Sequence, residues 1–439
     1  MENAKIEYLS PEAWRQWHTE LLQSTVNRVY KRVPFYRKAM DAAGVHPEDI
    51  RSLEDMRKLP FITREDLSTN YPYDLFAVPL RDIVRIHTLR SAQKNPVALG
   101  YTKQDLEHRR NLTARFLQVC GVSPDDVVQI CLDPGLAMLG QELKEGAETL
   151  GALVISPDPL NSSARLRVLV DFKTTAVITS PSYGRHLLWA LQESGKSLAS
   201  ISLKKGIFVA ETLDHGFRKE LKKNFALDAC SGYGIFEAMG PGMAYECPEL
   251  SGLHLAMDHF IPEIVDPASG NVLPHGETGE LVITTVTTRS NPLIRFRTGD
   301  LTRLDARPCP CGRTTWRMAP VEGPCNDLVS VRGIRIAPEQ IDTFIEAQTE
   351  DDPPDHLLVI KNHNYLEKIE LWIAINHDLF TGSLPQLHNW CRELENSFEE
   401  TIGLSCQVRP VELRTIKPYL DEGRTIVTMN SQPDRMQPV

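Results

Sequence analysis

The sequence lacks any apolar run that approaches the roughly 18 residues needed to cross a membrane, so we expect no membrane partner. It also lacks an excess of basic residues, since 58 acidic side chains outnumber 48 basic ones and leave a net charge of −10. A nucleic-acid-binding protein needs a basic face, and this balance argues against one. The first ten residues, MENAKIEYLS, are polar and do not resemble a signal peptide. We therefore predict a cytoplasmic location.

Glycine is missing from the middle of residues 87–102, HTLRSAQKNPVALGYT, where two strand-like segments flank a turn at Asn95–Pro96. Loops that hold nucleotide phosphates are rich in glycine, because a bare backbone can turn its N–H groups around an anion. This segment instead contains two cations, Arg90 and Lys94. It is either an ordinary turn or a phosphate loop with altered chemistry.

The chain contains 439 residues, of which 41% are hydrophobic and 24% charged. These values are typical of an ordinary soluble globular protein with two to three domains and a sizeable core. The N-terminal 75 residues look helical, because Trp14, Trp17, Leu21 and Leu22 follow a helical spacing.

The centre of the chain alternates strand-like and helix-like segments. Buried strands are predicted at residues 152–156, 176–179 and 206–210. The intervening helices are predicted to begin at residue 161 or 162 and at Tyr183. This alternation predicts an α/β fold in which helices cover a mostly parallel sheet.

After about residue 245 the pattern changes to short strands and turns, and it changes again towards the C-terminus. The segments predicted there are a hairpin at 263–274, a strand at 279–288, a helix at 338–345, strands at 357–360 and 369–375, and a helix at 387–398. We therefore predict a large N-terminal domain, residues 1–326, that includes a small β-rich part. A small α+β domain, residues 327–439, is predicted to follow it.

Four candidate metal ligands lie in two short segments, Cys247 and His254 in one and Cys309 and Cys311 in the other. The nine cysteines are predicted to be reduced, and cysteine clusters in the cytosol more often bind metal than form disulfides. Three thiolates and a neutral imidazole complete a tetrahedral, structural zinc site, which leaves no position for catalysis. The alternative is four unrelated residues in turns.

Three further stretches place an acid next to glycines or to the end of a strand. They are SGYGIFEAMGPGMAYEC (231–247), RFRTGDL (295–301) and IFVAETL (207–213). Each stretch taken alone is more typical of a capped turn than of a site.

Taken in order, these motifs resemble the phenylacetate–coenzyme A ligase branch of the AMP-forming adenylating enzymes. The resemblance runs from about Leu21 to Thr428 and includes VPFYR, the turn at 87–102, PSYG, VAE, GYGIFEAMGPG, RFRTGDL and VRGIRIAPEQID. It implies condensation of a carboxylic acid with ATP to an acyl-adenylate, with magnesium, and then transfer to a thiol such as coenzyme A after rotation of a mobile C-terminal domain. Some relatives carry a Cys–His zinc site, and relatives are often homodimers.

The resemblance also implies roles for individual residues. The nucleotide-binding positions are Asp300 for the ribose, Ala210 and Glu211 for the adenine wall, Tyr233, Gly234 and Arg90. The acyl-binding positions are Ala238, Met239, Gly240, Pro241 and Gly135. The catalytic positions are Glu237 near magnesium and the triphosphate, together with Lys94 and Arg424, and the domain hinge falls at Asn326 and Asp327.

The sequence departs from the family pattern where phosphate is bound and where the domains join. The family phosphate loop reads Ser-Ser-Gly-Thr-Thr-Gly-Lys-Pro, whereas residues 89–96 here read LRSAQKNP. Arg424 replaces the family lysine of the C-terminal tail, and arginine has a different shape and reach. Pro324 and Asn326 replace an Arg and an Asp of the junction, Phe236 stands before Glu237 in place of a hydroxyl residue, and Val209 replaces the glycine of the adenine wall.

Three hypotheses are compatible with this combination of retained and altered family motifs. The first is an ATP-dependent ligase for an aromatic or other apolar carboxylic acid. The second is a catalytically degenerate relative that serves as a ligand-binding or accessory protein. The third is an acyl or amide transferase that uses a preformed activated substrate and no ATP.

Overall fold

The computed structural model describes residues 6–89, 95–155, 162–194, 201–325, 328–349, 353–363, 365–375 and 384–429. These residues form two compact units. Unit 1 takes those within 1–132, 138–179 and 197–326, and unit 2 takes those within 133–137, 180–196 and 327–439. The predicted domain boundary falls on Asn326 and Asp327, which lie outside the described residues, and it stays a prediction.

The helices are α1 (Pro11–Arg32), α2 (Pro34–Ala42), α3 (Arg64–Thr69), α4 (Lys103–Val119), α5 (Ala137–Leu150), α6 (Ser162–Asp171), α7 (Pro181–Glu193), α8 (His215–Phe225), α9 (Pro338–Ala347), α10 (Leu384–Ile402) and α11 (Leu413–Leu420). In the predicted N-terminal helix, α1, Trp14 and Leu22 are buried, but Trp17 is exposed. The predicted N-terminal helix is therefore present, and it buries one side.

The strands are β1 (Arg85–Leu89), β2 (Val97–Tyr101), β3 (Val127–Cys131), β4 (Leu153–Ile155), β5 (Ala176–Thr179), β6 (Lys205–Phe208), β7 (Asp228–Tyr233), β8 (Ala244–Glu246), β9 (Leu253–Leu255), β10 (Phe260–Val265), β11 (Gly279–Thr285), β12 (Phe296–Thr302), β13 (Leu304–Asp305), β14 (Arg317–Met318), β15 (Gly323–Pro324), β16 (Val329–Val331), β17 (Ile334–Ile336), β18 (His356–His363), β19 (Leu366–Ala374), β20 (Cys406–Val411) and β21 (Ile426–Met429).

A nine-stranded sheet forms the centre of unit 1, in the order β13-β14-β9-β8-β7-β6-β5-β3-β4. The five strands from β7 to β4 pair in parallel, and the remaining pairs are antiparallel. The apolar side chains of β5 and β6 are buried because the sheet is covered on both faces, as is usual for parallel strands. The alternating pattern of the central sequence therefore predicted the α/β fold correctly.

Two antiparallel sheets complete unit 1. A four-stranded sheet has the order β10-β11-β12-β15, and the turn after β10 is the predicted hairpin around Gly270, which adopts a positive φ of 70°. The strands β1 and β2 pair antiparallel from Arg85–Tyr101 to Leu89–Val97. The strand–turn–strand reading of residues 87–102 is therefore confirmed on both sides of the turn.

Unit 2 is built around a four-stranded sheet in the order β20-β19-β18-β21. The apolar faces of α9 and α10 cover it, with Ile341, Phe344 and Phe398 buried. The short C-terminal strand β21 pairs in parallel with β18. This sheet with its two helices is the α+β architecture predicted for the end of the chain.

Two cysteines in unit 1 are bonded, which contradicts the prediction that all nine are reduced. Cys120 ends α4 and Cys230 lies in β7, and the two form a disulfide with a Cα–Cα distance of 5.5 Å. The prediction failed because the two cysteines are 110 residues apart and only the packing of α4 on β7 brings them together. Within the described residues, no helix combines the length and the apolar character required to cross a bilayer.

Candidate active site and metal cluster

The four predicted metal ligands meet in unit 1. Cys247 follows β8, His254 lies in β9, and Cys309 and Cys311 lie in the connection between β13 and β14. Their ligand atoms all lie within 4.8 Å of one another, with 3.7 Å between the sulfurs of Cys247 and Cys309. Antiparallel pairing of β8, β9 and β14 brings the two segments together. The four residues are therefore close enough to share one ion, and zinc binding by this cluster stays a proposal.

The protonation of the cluster fits a metal. His254 Nδ1 lies 2.8 Å from the hydroxyl of Thr315, so its Nε2 is directed to the sulfur of Cys311 at 3.4 Å. Burial lowers the pKa of His254 to about 4, which keeps the imidazole neutral as a ligand must be. Burial raises the pKa of the Cys247 thiol to about 12, so a cation is needed to hold it as a thiolate. A set of three sulfurs and one imidazole nitrogen fits zinc.

Tyr233 and Asp300 come together from two different sheets. Tyr233 ends β7, Asp300 lies within β12, and the Tyr233 hydroxyl donates a 2.7 Å hydrogen bond to Asp300 Oδ2. Asp300 is buried and follows Gly299, whose φ of 76° favours glycine. The structure thus joins the two residues that the sequence assigned to nucleotide binding from separate motifs.

The predicted adenine wall follows the end of β6. The strand ends at Phe208, two residues earlier than predicted, and Ala210 adopts a positive φ of 70°. A residue with a Cβ is strained there, and Ala210 corresponds to the alanine, not the glycine, of the Gly-Ala-Glu pattern. Ala210 is exposed and Glu211 is half-buried at the carboxyl end of the parallel strands. Ligands of open α/β sheets commonly bind at this edge.

Glu237 is paired with a residue that the sequence analysis missed. Arg64, the first residue of α3, contacts Glu237 Oε1 through Nη2 at 2.6 Å and through Nε at 2.7 Å. Glu237 is buried, whereas Arg64 is half-exposed. A cation at a helix N-terminus opposes the helix dipole, which is the one signal that pointed to a distant acidic partner for Arg64.

The predicted acyl-binding segment folds back on its own start. Ala238, Met239, Gly240 and Pro241 are all buried, and Met239 has a positive φ of 72°. The backbone N–H of Gly240 donates to the carbonyl of Ile235 at 2.8 Å. A side chain at Gly234 would overlap the carbonyl of Gly240, so the close approach of these two segments requires glycine.

The remaining predicted residues lie elsewhere or cannot be placed. Gly135 belongs to unit 2, where its N–H donates to Asp133 Oδ1 at 3.1 Å. Arg424 is also in unit 2, exposed and paired with Glu422. The predicted phosphate-loop cations Arg90 and Lys94, and the predicted hinge at 326 and 327, lie outside the described residues.

Comparisons with known proteins agree with this architecture. The model of the AMP-binding enzyme C-terminal domain matches residues 333–426. The chain is 35% identical to the phenylacetate–coenzyme A ligase of Escherichia coli (strain K12) over 413 residues, which cover 94% of each chain. It is 36% identical to the phenylacetate–coenzyme A ligase of Aromatoleum evansii over 432 residues, which cover 98% of this chain and 96% of the relative.

A solved structure also matches nearly the whole chain. The crystal structure of 2-hydroxyisobutyryl-CoA ligase with 2-HIB-AMP and CoA in the thioesterification state has a TM-score of 0.88 at 24% sequence identity. The match covers 97% of this chain and 92% of that one. This likeness confirms the predicted fold.

Proposed function

This chain belongs to the phenylacetate–coenzyme A ligase family, and on that premise we propose that it is an AMP-forming ligase of an aromatic carboxylic acid. A carboxylate oxygen of the acid attacks the α-phosphorus of ATP, and pyrophosphate leaves with the electron pair of the broken P–O bond. The thiol of coenzyme A then attacks the acyl carbon, AMP leaves, and the thiol proton is released to solvent.

The contact between Tyr233 and Asp300 is the observation that supports this proposal best. The ribose of a nucleotide offers two hydroxyl donors and therefore needs an acceptor that is held in place. A buried carboxylate positioned by a 2.7 Å hydrogen bond from a tyrosine provides such an acceptor. Tyr233 lies in β7 and Asp300 in β12, and each belongs to a motif on which the family resemblance rests.

The other residue roles stay proposals that rest on the family. Ala210, Glu211 and Gly234 border the adenine, and Glu237 holds magnesium, which supplies positive charge against the triphosphate. The residues proposed to border the acyl group are Ala238, Met239, Gly240, Pro241 and Gly135. Those proposed to contact phosphate are Arg90, Lys94 and Arg424, with the domain swing at Asn326 and Asp327. Each role rests on matching positions in the sequence.

A second candidate function is favoured by the surroundings of Glu237. Arg64 already neutralises this carboxylate, and residues 89–96 contain no glycine to wrap a triphosphate. A protein with this arrangement is suited to acyl transfer from a preformed thioester or adenylate, or to holding such a ligand as an accessory protein. Neither role requires a triphosphate site.

Pyrophosphate release separates the candidates. The purified protein is incubated with phenylacetate or another arylacetic acid, MgATP and coenzyme A, and both pyrophosphate and the thioester are measured. Release that requires both the acid and ATP is the expected result. Turnover of an aryl-CoA ester without ATP would instead favour the transferase. A thermal melt tests nucleotide binding separately from turnover. MgATP or AMP at about 100 times its Kd should add about 2.7 kcal/mol to the free energy of unfolding.

We also propose that the cluster of Cys247, His254, Cys309 and Cys311 holds one structural zinc ion. All four positions are protein ligands, so the ion joins β8 and β9 to the β13–β14 connection and leaves no position for substrate. The cytoplasmic location stays a prediction from the sequence, and the Cys120–Cys230 disulfide does not support it. A homodimer stays a prediction from the family, which sedimentation of the purified protein would test.

A further inference from the structure

The disulfide between Cys120 and Cys230 joins two elements that carry the proposed site. Cys120 follows the last residue of α4, and Cys230 lies in β7, three residues before Tyr233. Tyr233 is the residue that positions Asp300 for the nucleotide. The bond therefore connects the end of a helix to the strand that ends at the proposed nucleotide site, although the proposed reaction does not use it.

Beyond the bond, α4 packs closely against the same strand. A Cβ placed on Gly232 would lie 2.5 Å from Cζ of Phe116, so the phenyl ring fills the space of a side chain there. Phe116 lies about one helical turn before Cys120, and Gly232 lies two residues after Cys230. The bond and the ring contact therefore follow one another along both elements, and together they set the position of α4 on β7.

The same face of α4 also contacts the segment proposed to border the acyl group. A Cβ placed on Gly242 would lie 2.9 Å from the carbonyl oxygen of Leu112, which is about two turns before the disulfide. The hydroxyl of Thr113 donates to the carbonyl of Pro241 at 3.3 Å. One face of the helix thus supports residues 230–242, and the disulfide covalently fixes one end of this support.

The disulfide is placed where a small thiol has access to it. Both Cys120 and Cys230 are half-buried, and exchange requires that an attacking thiolate reach one of the two sulfurs. In the predicted cytoplasmic location the bond would meet a pool of reducing thiols. Disulfides in such a compartment are usually catalytic or redox-sensing. Neither cysteine is proposed to contact a substrate, and this leaves redox sensing.

We propose that the Cys120–Cys230 bond is a redox switch, which when oxidised holds α4 against residues 230–242 and raises the affinity for the nucleotide. The inference rests on the proposed function for its nucleotide readout. In the reduced protein α4 keeps its packing contacts but loses its covalent link to β7. Tyr233 and the segment after it are then held less rigidly.

Reduction consumes two molecules of a monothiol such as glutathione. The first thiolate attacks one cysteine sulfur, forms a mixed disulfide and displaces the other cysteine as a thiolate. The second attacks the glutathione sulfur of the mixed disulfide, which releases the remaining cysteine and glutathione disulfide. Two electrons pass to the protein, and the two freed thiolates take up the protons that the glutathione thiols lost. Oxidation by glutathione disulfide reverses each step.

Titration calorimetry with AMP in oxidising and reducing glutathione buffers measures the effect of the switch. We expect reduction to raise the Kd for AMP about fivefold or more, which is the lower end of the usual coupling between two linked sites. The double variant Cys120→Ser, Cys230→Ser should have the higher Kd in both buffers. Cys391→Ser is the control and should respond as the wild type does, because it changes a half-buried cysteine of α10 outside the bond.

The coupling is reciprocal, which gives a second measurement. Saturating AMP must raise the equilibrium constant for formation of the bond by the same factor by which oxidation lowers the Kd. Alkylation of free thiols followed by mass spectrometry gives the bonded fraction at each ratio of glutathione to its disulfide. A bond that only stabilised the fold would form equally with and without AMP. Equal Kd values for AMP in the oxidised and reduced wild type would overturn the inference.

Amide hydrogen exchange tests the switch independently of the nucleotide. Exchange within residues 230–242 should be roughly fivefold or more faster in the reduced wild type than in the oxidised one, because loss of the bond favours local opening. If neither form bound AMP but this difference were found, the proposed nucleotide site would be refuted and the switch would stand. If neither form bound AMP and the exchange rates were equal, both would be refuted.

Discussion

At the scale of single residues, Asp300 carries the prediction of nucleotide binding. Replacing Asp300 by alanine removes the acceptor that Tyr233 positions, and with it the proposed hydrogen bonds to the ribose hydroxyls. We expect the affinity for AMP to fall roughly 100-fold or more, since each hydrogen bond to a charged group is worth about 1.5–3 kcal/mol. Titration calorimetry with AMP measures the change.

Two further variants serve as comparisons for Asp300→Ala. Tyr233→Phe keeps the carboxylate and removes only its positioning donor, so its loss of affinity should be smaller than that of Asp300→Ala. Asp82→Ala removes an exposed acid of unit 1 and should bind AMP as the wild type does. If Asp300→Ala also kept the wild-type affinity, Asp300 would have no part in the nucleotide site.

Candidate site residues could be predicted from the sequence where they belong to a motif. They could not be predicted where only the folded chain brings them together. Tyr233 and Asp300 came from separate motifs, and the structure joins them by a hydrogen bond, while their roles in nucleotide binding stay a prediction. Arg64 was missed, because its partner Glu237 is 173 residues away and no local pattern links the two. Trp17 was used only to predict the helix α1, and it is exposed because a helix at a surface buries only part of its circumference.

At the scale of elements, the metal cluster joins β8 and β9 to the connection between β13 and β14. In Cys309→Ser we expect the zinc content to fall from about one ion per chain to near zero. Stability should fall by about 4 kcal/mol or more, since loss of a structural metal is among the largest single-site effects. Elemental analysis and urea unfolding measure the two quantities.

The control for this substitution is Cys391→Ser. It changes a half-buried cysteine of α10 that lies outside the metal cluster, so zinc content should stay the same. Wild-type zinc content in Cys309→Ser would refute the four-ligand site.

Elements with a regular period were predictable, and contacts between distant elements were not. The strands β4, β5 and β6 and the helices between them follow from runs of apolar residues bounded by caps and turns. The predicted burial of the strand at 152–156 was wrong, because β4 lies at the edge of the sheet and Leu153 is exposed. The end of β6 at Phe208 was overestimated by two residues, because apolar character continues into the turn at Ala210. The bond between Cys120 and Cys230 was missed for the same reason as Arg64, since it depends on packing between α4 and β7.

At the scale of the whole molecule, buried histidines make stability depend on pH. Burial lowers the pKa of His259 to about 4, and the groups facing it are Asp258, Arg115 and His108. Burial would raise the pKa of Asp258, but His259 and Arg115 lower it to about 2, so it stays ionised above pH 4. The burial of His108 also lowers its pKa and acts in the same direction.

The sign of the effect follows from the proton count. Between pH 6.5 and 4 the unfolded chain protonates this histidine and the folded chain does not, so the free energy of unfolding falls as the pH falls. His259 alone should contribute a loss of about 2 kcal/mol between pH 7.5 and 5. Urea unfolding at both pH values measures it.

Two histidine variants test the assignment. His259→Gln should show a smaller loss between pH 7.5 and 5 than the wild type, whereas His215→Gln should show the same loss, because His215 is exposed. Equal losses in all three proteins would contradict the role of His259.

During synthesis, the sheet of unit 2 cannot be completed before β21, its last described strand, has been made. This strand pairs with β18, whose outer edge stays open until residue 429 has left the ribosome. Domains fold in order as the chain emerges, so unit 2 finishes last. A chain that ended before Ile426 would lack β21 and would leave the edge of β18 bare. Such a product would be a substrate for proteases and a seed for aggregates, whatever the chemistry of Arg424.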